Sequence, residues 1–364
     1  MNGDDRTQRR IDDLDRRLKA HPQDDEAFVA LLRAKMSAGH HIQAEEAMEA
    51  RLRESAAPDW GMVQLFCEAA GQCGRAARAH EVLQGLEGAF GNSAPYWTLR
   101  GRMLEESGRL EEARAEHGRA TTLDPADAEA VFRLGATLMK LHRDEEALAA
   151  FERCLSLDPG MTKAMINIGV LHDQGGRPER AIEAFRHAIE ANPRSVESHC
   201  NLGAAYGDLG RKKDAIAEFE KALEIDPDCA LARFNLGLAL MDTNPEDSLA
   251  ELRKAQTIDP GNWEINFNIG LVYFRKGMYE ACVRLLHQCV QARPNAAAAL
   301  YYLGVAYNKK DQPGQAIECL ERGLELDPSN GRAHFYLGVA YDKKGQSDRA
   351  RLCYQAADRL GGRG

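Results

Sequence analysis

The stretch HCNLGAAYGDLGRKKDAIAEFEKALEIDP, residues 199–227, decides the fold. It closes on a proline that has counterparts before and after it in the chain. Successive prolines of this series lie 34, 34, 34, 33, 34 and 34 residues apart: Pro125, Pro159, Pro193, Pro227, Pro260, Pro294 and Pro328. A fixed period of this length is typical of a stacked-repeat architecture, in which each unit packs on its neighbours.

The second regular feature is a glycine at the eighth position of each repeat unit. A unit is counted from shortly after the preceding proline, so that the unit after Pro193 begins at residue 196. Glycine is unfavourable inside a helix, so its recurrence at one register needs a packing reason. Position 20 is small in every unit, being Ala, Ser or Cys. The pattern predicts two antiparallel helices per unit that approach closely where the glycine faces this small residue. The eight glycines are Gly101, Gly135, Gly169, Gly203, Gly237, Gly270, Gly304 and Gly338.

The unit from residue 196 carries further landmarks: Leu202, Gly203, Tyr206, Ala215, Phe219, Ala222 and Pro227. With this pattern, residues 94–364 resemble the tetratricopeptide repeat (TPR) family. The resemblance implies an all-α fold, a right-handed superhelical solenoid of antiparallel helix pairs. It also implies a concave groove, lined by the first helix of each unit, as the usual peptide-binding site. The eight predicted units are 94–127, 128–161, 162–195, 196–229, 230–262, 263–296, 297–330 and 331–364.

Residues 1–93 form a divergent helical region. Residues 8–20 place Ile11, Leu14 and Leu18 on one helical face, which predicts a half-repeat cap that ends near His21-Pro22. About two degenerate units follow, over 25–58 and 60–93. The glycine-rich stretch from Leu86 to Ser93 is expected to be a mobile joint.

The unit from residue 230 departs from the regular pattern. It is one residue short, and Asn244-Pro245 stands where other units have a glycine turn. Because asparagine tolerates the left-handed conformation, we expect this turn to survive with altered geometry.

Charge and cysteine usage limit the class of protein. The chain has 47 basic and 56 acidic residues, a net charge of −9, which argues against a general nucleic-acid-binding protein. Its longest nearly apolar run, Ala296 to Tyr307, is too short to span a membrane, and the N-terminus lacks the apolar core of a signal peptide. Nine cysteines without a Cys-x-x-Cys pair predict reduced, buried thiols and a cytoplasmic location.

Motifs for catalysis, metal binding and cofactor binding are missing from the sequence. It has no P-loop, no dinucleotide-binding glycine motif after a strand and no His-Glu-x-x-His pair. His142-Arg143-Asp144 and His40-His41 fall in predicted turns. Carboxylate pairs such as Glu105-Glu106 are expected to be solvated or to favour a helix N-terminus. We therefore predict no enzymatic activity, no metal site and no cofactor.

The candidate binding residues lie on the first helix of the units. Position 6 is asparagine in four consecutive units and then tyrosine, and the run resembles the asparagine ladder in the TPR arm of O-GlcNAc transferase, although no catalytic domain follows. An amide side chain can accept from a peptide N–H and donate to a peptide C=O. Position 5 adds an aromatic lining, for which core packing is the alternative. The predicted groove residues are Asn167, Asn201, Asn235, Asn268, Phe234, Phe267, Tyr301, Tyr302, Phe335 and Tyr336.

These features predict a non-enzymatic scaffold that binds an extended peptide or protein segment in the groove. The partner's identity is open. No unit has the Lys and Asn that a carboxylate clamp for chaperone C-termini requires at positions 5 and 9. Two alternatives remain open: a self-assembling structural protein, and an accessory, substrate-recruiting arm of a separately encoded enzyme.

Positions 21 and 28 of each unit, which lie on its second helix, predict how well neighbouring units are coupled. They are apolar in most units, where they pack on the following unit. In the last unit they are Arg351 and Asp358, which are expected to form a polar, self-capping end. In the unit from 94 they are Arg114 and Thr121, which predicts weak coupling there.

Overall fold

A computed structural model gives the architecture of the chain, and it describes residues 3–21, 24–54 and 58–362. All regular elements of these residues are helices. The chain forms two compact units, Met1–Gly175 and Gly176–Gly364. The domain boundary after residue 93 stays a prediction. Pro22 and residues 55–57, at the predicted ends of the cap and of the unit 25–58, lie outside the described residues.

Helices of the first compact unit follow one another in antiparallel pairs. They are α1 (Gly3–Ala20), α2 (Asp25–Ser37), α3 (His41–Glu54), α4 (Trp60–Gln72), α5 (Ala76–Gly85), α6 (Glu87–Phe90), α7 (Ala94–Glu106), α8 (Leu110–Leu123), α9 (Ala128–Lys140), α10 (Asp144–Leu157) and α11 (Thr162–Gln174).

The second compact unit continues the same alternation of a first helix (helix A) and a second helix (helix B). Its helices are α12 (Pro178–Ala191), α13 (Val196–Asp208), α14 (Lys212–Ile225), α15 (Ala230–Leu240), α16 (Pro245–Ile258), α17 (Trp263–Arg275), α18 (Tyr279–Ala292), α19 (Ala297–Lys309), α20 (Pro313–Leu326), α21 (Gly331–Lys343) and α22 (Ser347–Arg359). Within the described residues, no helix is long and apolar enough to cross a membrane.

The glycine at position 8 faces a large side chain at position 24, four residues beyond the expected small partner. A Cβ added to these glycines would lie 2.5–2.8 Å from the nearest atom of that side chain. In two units, the backbone oxygen of position 20 is also close, at 3.2–3.3 Å. The sequence analysis was therefore right about close approach but wrong about the main contact. The pairs are Gly101–His117, Gly135–Phe151, Gly203–Phe219, Gly237–Leu252, Gly270–Leu286, Gly304–Leu320 and Gly338–Tyr354.

Turns between helices A and B carry a left-handed residue at position 15. Glycine fills it in most units, but His142 and Asp311 adopt φ of 56° and 59°. The unit from 230 is different, because Asn244 has φ −144° and caps α16 by accepting a hydrogen bond from the Asp247 backbone N–H. The turn thus survives with altered geometry, as expected, but the expected left-handed conformation of Asn244 is wrong. The missing residue is absorbed by a shorter helix, since α15 ends at Leu240.

The N-terminal region packs more tightly than its sequence suggests. Ile11 of α1 is buried, and it packs with Leu31 and Ala34 of α2. The expected joint from Leu86 to Ser93 contains the short helix α6, and its Phe90 ring lies 5.1 Å from the Trp60 ring. This segment is therefore part of the core that α4, α5 and α7 share.

The unit from residue 94 leaves a cleft against the next unit. The cleft encloses about 650 Å³, and Arg114 and Gly118 of α8 line it opposite Leu134 and Leu138 of α9. Helices α8 and α9 still contact each other. The cleft lies where the sequence predicts weak coupling through Arg114.

Candidate functional site

The candidate site lies on the helix-A side of the second compact unit. Neighbouring A helices contact one another there, as α13 does with α15 and α19 with both α17 and α21. Two hydrogen bonds from side chains to backbone oxygens connect α21 to α19. The Asn308 side-chain amide donates to the Tyr336 carbonyl oxygen at 2.8 Å, and Lys343 Nζ donates to the Asn308 carbonyl oxygen at 2.6 Å. The side chains on these helices therefore hold defined relative positions.

Three of the predicted asparagines belong to this compact unit. Asn201, Asn235 and Asn268 occupy position 6 of α13, α15 and α17, and each is half-buried. Among the described residues, the side-chain amides of Asn201 and Asn235 have no hydrogen-bond partner, whereas Asn268 Nδ2 donates to the Glu264 carbonyl oxygen at 2.8 Å. Asn167 has the same register and half-buried state in α11 of the first compact unit. Each amide thus retains hydrogen-bonding capacity.

Aromatic rings continue this side of the molecule through α17, α19 and α21. The rings of Trp263 and Phe267 are stacked with centroids 5.0 Å apart, and Phe267 is 6.2 Å from Tyr302. Tyr302 lies 4.9 Å from Tyr301, which in turn lies 6.2 Å from Tyr336. We call these five rings, together with Phe335 beside Tyr336 and Phe274 beside Tyr302, the aromatic chain.

The structure separates the position-5 residues into two groups. Phe132 is buried against the Phe151 ring of its own unit, at 5.7 Å between centroids, and Ile166 and Cys200 are also buried. From α15 onward the residue at position 5 is half-buried. Core packing therefore accounts for position 5 in the units from 128, 162 and 196, whereas the later residues, like Thr98 in the unit from 94, have both a packed and an accessible part.

Phe234 is the one predicted aromatic residue that stands apart. It is half-buried and packs against the core around Leu252, and among the described contacts it has no ring partner. Trp263 and Phe274, which the sequence analysis missed, belong to the aromatic chain instead. Their ring contacts depend on which side chains of neighbouring helices meet, and a register within one helix does not reveal this.

Burial and neighbouring groups act together on Tyr301 in the aromatic chain. Burial raises the pKa of Tyr301 to about 12, the neighbouring Tyr336 and Tyr302 act in the same direction, and the positive charge of Arg332 opposes them. At neutral pH the Tyr301 hydroxyl is therefore protonated. The chain offers apolar ring faces together with neutral hydroxyl groups, an arrangement suited to apolar side chains and peptide groups.

A buried polar network in the unit from 94 was also missed. The sequence analysis expected Glu105 to be solvated, but its side chain is only 8% exposed. Its carboxylate oxygens accept from His117 Nε2 at 3.2 Å, from Lys140 Nζ at 2.7 Å and from the Thr137 hydroxyl. The clue in the sequence is His117 itself, since other units have Phe, Leu or Tyr at this position.

Arg100 forms a second buried polar cluster beside this network. It replaces the leucine common at position 7, and its side chain is 5% exposed. The guanidinium donates to Glu87 at 2.9 Å and to Glu116 at 3.1 Å, and it lies 4.7 Å from the Trp97 ring. These contacts lie within the core of the unit, although Arg100 Nε and Glu116 Oε2 have no hydrogen-bond partner among the described residues.

Comparisons with known proteins bear on this architecture as a whole. Tetratricopeptide repeat models match residues 68–128, 128–161, 196–229, 264–296, 297–330 and 319–352, and a TPR repeat model matches 174–210. Together these matches cover more than half of the chain. None of the curated proteins compared with the chain matches it.

Solved structures resemble the chain in fold. A chain of the APC/C hetero-tetramer Cut9–Hcn1 is 17% identical with a TM-score of 0.58, over 87% of this chain and 63% of that one, so this chain spans less than two thirds of it. A tetratricopeptide repeat protein from Parabacteroides merdae is 14% identical with a TM-score of 0.51, over 64% of this chain and 93% of that one. Pseudomonas aeruginosa pilF is 18% identical with a TM-score of 0.51, over 56% and 93%.

The all-helical fold, the glycine–ring contacts and the repeat models agree. A repeat array of this kind is typically a non-catalytic interaction scaffold with protein partners. The chain belongs to the tetratricopeptide repeat family.

Proposed function

We propose that this protein is a non-enzymatic scaffold that binds an extended peptide or protein segment on the helix-A side of its second compact unit. The observation that carries the proposal is the juxtaposition of half-buried, incompletely bonded amides with the aromatic chain. Asn201, Asn235 and Asn268 recur once per unit, as the peptide groups of a bound segment would require. The aromatic chain then supplies contacts for apolar side chains.

Backbone recognition explains why amides suit this role. One asparagine side chain can accept from a peptide N–H and donate to a peptide C=O, so it holds a segment without selecting its side chains. Each such hydrogen bond contributes about 0.5–1.5 kcal/mol net, so three together contribute roughly 1.5–4.5 kcal/mol if they act independently. Asn167 offers an equivalent amide in the first compact unit.

The proposal places the protein in a reducing compartment, the cytoplasm. All nine cysteines are free, and six of them are buried. Burial raises the pKa of Cys67, Cys200 and Cys282 to about 12, so these thiols are poor nucleophiles. Their role as small apolar core residues supports this location.

The test begins with an affinity pull-down and mass spectrometry, followed by mapping of the bound segment with overlapping synthetic peptides. Calorimetry then compares the wild type with the triple variant Asn201→Ala, Asn235→Ala and Asn268→Ala. We expect a loss of at least about tenfold in affinity. Asn295→Ala, at an exposed asparagine between α18 and α19, is the matched control and should bind as the wild type does.

Two results would contradict the proposal. Unchanged affinity of the triple variant, with helicity and melting temperature intact, would mean that the asparagines are not the site. Light scattering that detects only assemblies of this chain, with no captured partner, would favour the self-assembling alternative.

A further inference from the structure

Four positions of helix A lie on one face of the helix, and all are at least partly accessible except position 9 of α19, where Val305 is buried. Positions 2, 6, 9 and 13 are spaced by four, three and four residues, so they fall on one face of a helix. In α13, α15, α17, α19 and α21, positions 2 and 13 are exposed and position 6 is half-buried. We call these positions on the five helices the helix-A stripe.

The charges on the helix-A stripe change in order along the second compact unit. The formal charge summed over positions 2 and 13 is −2, −1, 0, +1 and +2 in α13, α15, α17, α19 and α21. In α15, position 13 falls two residues beyond the helix end. The residues are Glu197 and Asp208, Leu231 and Asp242, Glu264 and Arg275, Ala298 and Lys309, and Arg332 and Lys343.

Ion pairs neutralise charges in the middle of the stripe and one of the two cations at its α21 end. Asp242 accepts from Lys212 Nζ at 2.8 Å and also from Arg275. Lys343 Nζ lies 2.9 Å from Asp311 at the outer edge. Within the described part of the chain, Glu197 and Asp208 at one end, and Lys309 and Arg332 at the other, form no ion pair or hydrogen bond through their side chains. Uncompensated charge of opposite sign therefore remains at the two ends.

The net charge of the surrounding sequence changes in the same direction, from negative to positive. Residues 176–262 contain 11 basic and 16 acidic residues, a net charge of −5, whereas residues 263–364 contain 14 basic and 10 acidic residues, a net charge of +4. The same positions of the first compact unit sum to −1, 0 and +1, from Glu106 in α7, from Glu129 with Lys140 in α9, and from Lys163 in α11. A shorter gradient of the same direction therefore runs over those three helices, but the five-helix gradient of the second compact unit is the one that includes the helices of the aromatic chain.

We propose that the segment bound by the helix-A stripe is itself a charge-segregated peptide, with a basic end on α13, apolar or aromatic residues over α17 and α19, and an acidic end on α19 and α21. This inference rests on the proposed function. Charge complementarity places the basic end beside Glu197 and Asp208 and the acidic end beside Lys309 and Arg332. The rings of Tyr302 and Tyr336 lie in the same half as the two unpaired cations, so acidic and apolar residues of the segment are neighbours.

Simple geometry sets the length of this segment. Neighbouring helices lie about 10 Å apart, so the five A helices span roughly 40 Å. An extended chain rises about 3.3 Å per residue, so about 12 residues suffice. The gradient determines which end of the segment lies on which helix, and it permits either chain direction.

Two fluorescent 12-residue peptides of identical composition test this inference by anisotropy. One has lysines at one end, Leu and Phe in the middle and aspartates at the other end, and the second has the same residues with lysines and aspartates alternating. We expect the full-length protein to bind the segregated peptide roughly tenfold more tightly at low ionic strength, and this preference to shrink as salt is added.

A variant without the four unpaired charges, called the flattened variant, and a matched control test whether the preference for the segregated peptide comes from the helix-A stripe. The flattened variant carries Glu197→Gln, Asp208→Asn, Lys309→Gln and Arg332→Gln, and it keeps the net charge of the chain. It should bind both peptides equally. The control carries Glu183→Gln, Glu190→Gln, Arg284→Gln and Arg322→Gln at exposed sites on B helices of the same compact unit, and it should keep the wild-type preference.

Four other results of these binding measurements would overturn the inference. Equal binding of both peptides by the wild type would overturn the charge-segregated partner and leave groove binding intact. Binding of neither peptide would contradict both proposals. A flattened variant that keeps the preference would overturn the role of the stripe. Wild-type self-association that the flattened variant lacks would identify a second copy of the chain as the occupant, and that too would overturn the inference.

Discussion

Glu105 and His117 form a buried contact between the two helices of one unit, with Oε1 of the glutamate 3.2 Å from Nε2 of the histidine. Burial opposes ionisation of Glu105, but hydrogen bonds from His117, Lys140 and Thr137 outweigh it and lower the pKa of the carboxyl to about 2. Because Lys140 and Thr137 belong to the next unit, this carboxylate also connects α7 to α9. It adds a direct link between the unit from 94 and the next unit, between which the cleft lies.

The contribution of Glu105 to stability should depend on pH. A carboxyl whose pKa is about 2 when folded and 4.5 when unfolded stabilises the fold above pH 4.5, and this contribution disappears as the pH falls toward 2. Glu105→Gln should therefore lower the free energy of unfolding by about 3 kcal/mol at neutral pH. Urea titrations at a series of pH values should find the difference from wild type closing between pH 4.5 and 2. Glu106→Gln, at the half-exposed neighbour, is the control, and a constant difference across this range would contradict the assignment.

Two glycines of α13 should respond in opposite ways to the same substitution. Gly203→Ala places a Cβ 2.6 Å from the Phe219 ring, so the helices must separate or the ring must move, at a cost of about 1–3 kcal/mol. Gly207→Ala meets no atom within 4 Å, and it should stabilise the helix by about 0.5–1 kcal/mol. Thermal unfolding of both variants measures the contrast. Similar melting temperatures for the two variants would show that the glycine–ring contact is not required.

Replacing His142, the left-handed residue at position 15 of its unit, by glycine should stabilise the fold. A non-glycine residue with φ of 56° is strained, and this side chain is exposed. His142→Gly should raise the free energy of unfolding by about 1 kcal/mol, whereas His142→Ala should give no gain. Denaturant midpoints distinguish the two substitutions. A loss of stability in the glycine variant would mean that the imidazole makes a stabilising interaction that outweighs the strain.

The cleft beside Arg114 predicts uneven local stability. In an array whose units contact only their neighbours, a poorly filled interface lets one block open without the other. Amide protons of residues 1–127 should exchange faster than those of residues 162–330. The double variant Arg114→Ile and Thr121→Leu restores the apolar residues that other units have at these positions, and it should strengthen the contact between α8 and α9 and slow exchange in α7 and α8. Uniform protection of the wild type along the chain would contradict this prediction.

The sequence predicts the helices well because their signals are local and repeated. Proline spacing and the glycine at position 8 locate the helix pairs, and each predicted unit from residue 94 onward begins at the first residue of an A helix. The sequence could not predict interactions that depend on side chains meeting between helices. In the sequence, nothing distinguishes Glu105 from an ordinary surface acid; the fold brings His117, Thr137 and Lys140 around it.

The candidate site was predicted less completely than the fold, for the same physical reason. Register within helix A predicts the side of the molecule on which Asn201 and Tyr302 lie. It does not predict that the Phe267 ring meets Tyr302 of the next A helix, or that Phe234 lacks a ring partner among the described residues, because these contacts depend on the separation of neighbouring helices. Whether the asparagines bind peptide stays a prediction.

The glycine–ring contact has a consequence for how such a chain can change in length. Both residues of the contact belong to the same 34-residue unit, as Gly203 and Phe219 do. A DNA segment that encodes one whole unit therefore encodes both residues of the contact. In-frame duplication or deletion of one period therefore leaves each of these helix pairs with its own glycine and the large side chain, a ring or a leucine, that faces it. An insertion of a few codons between them would break the pairing within that unit alone. The array is thus tolerant of recombination at its own period and sensitive to small insertions within it.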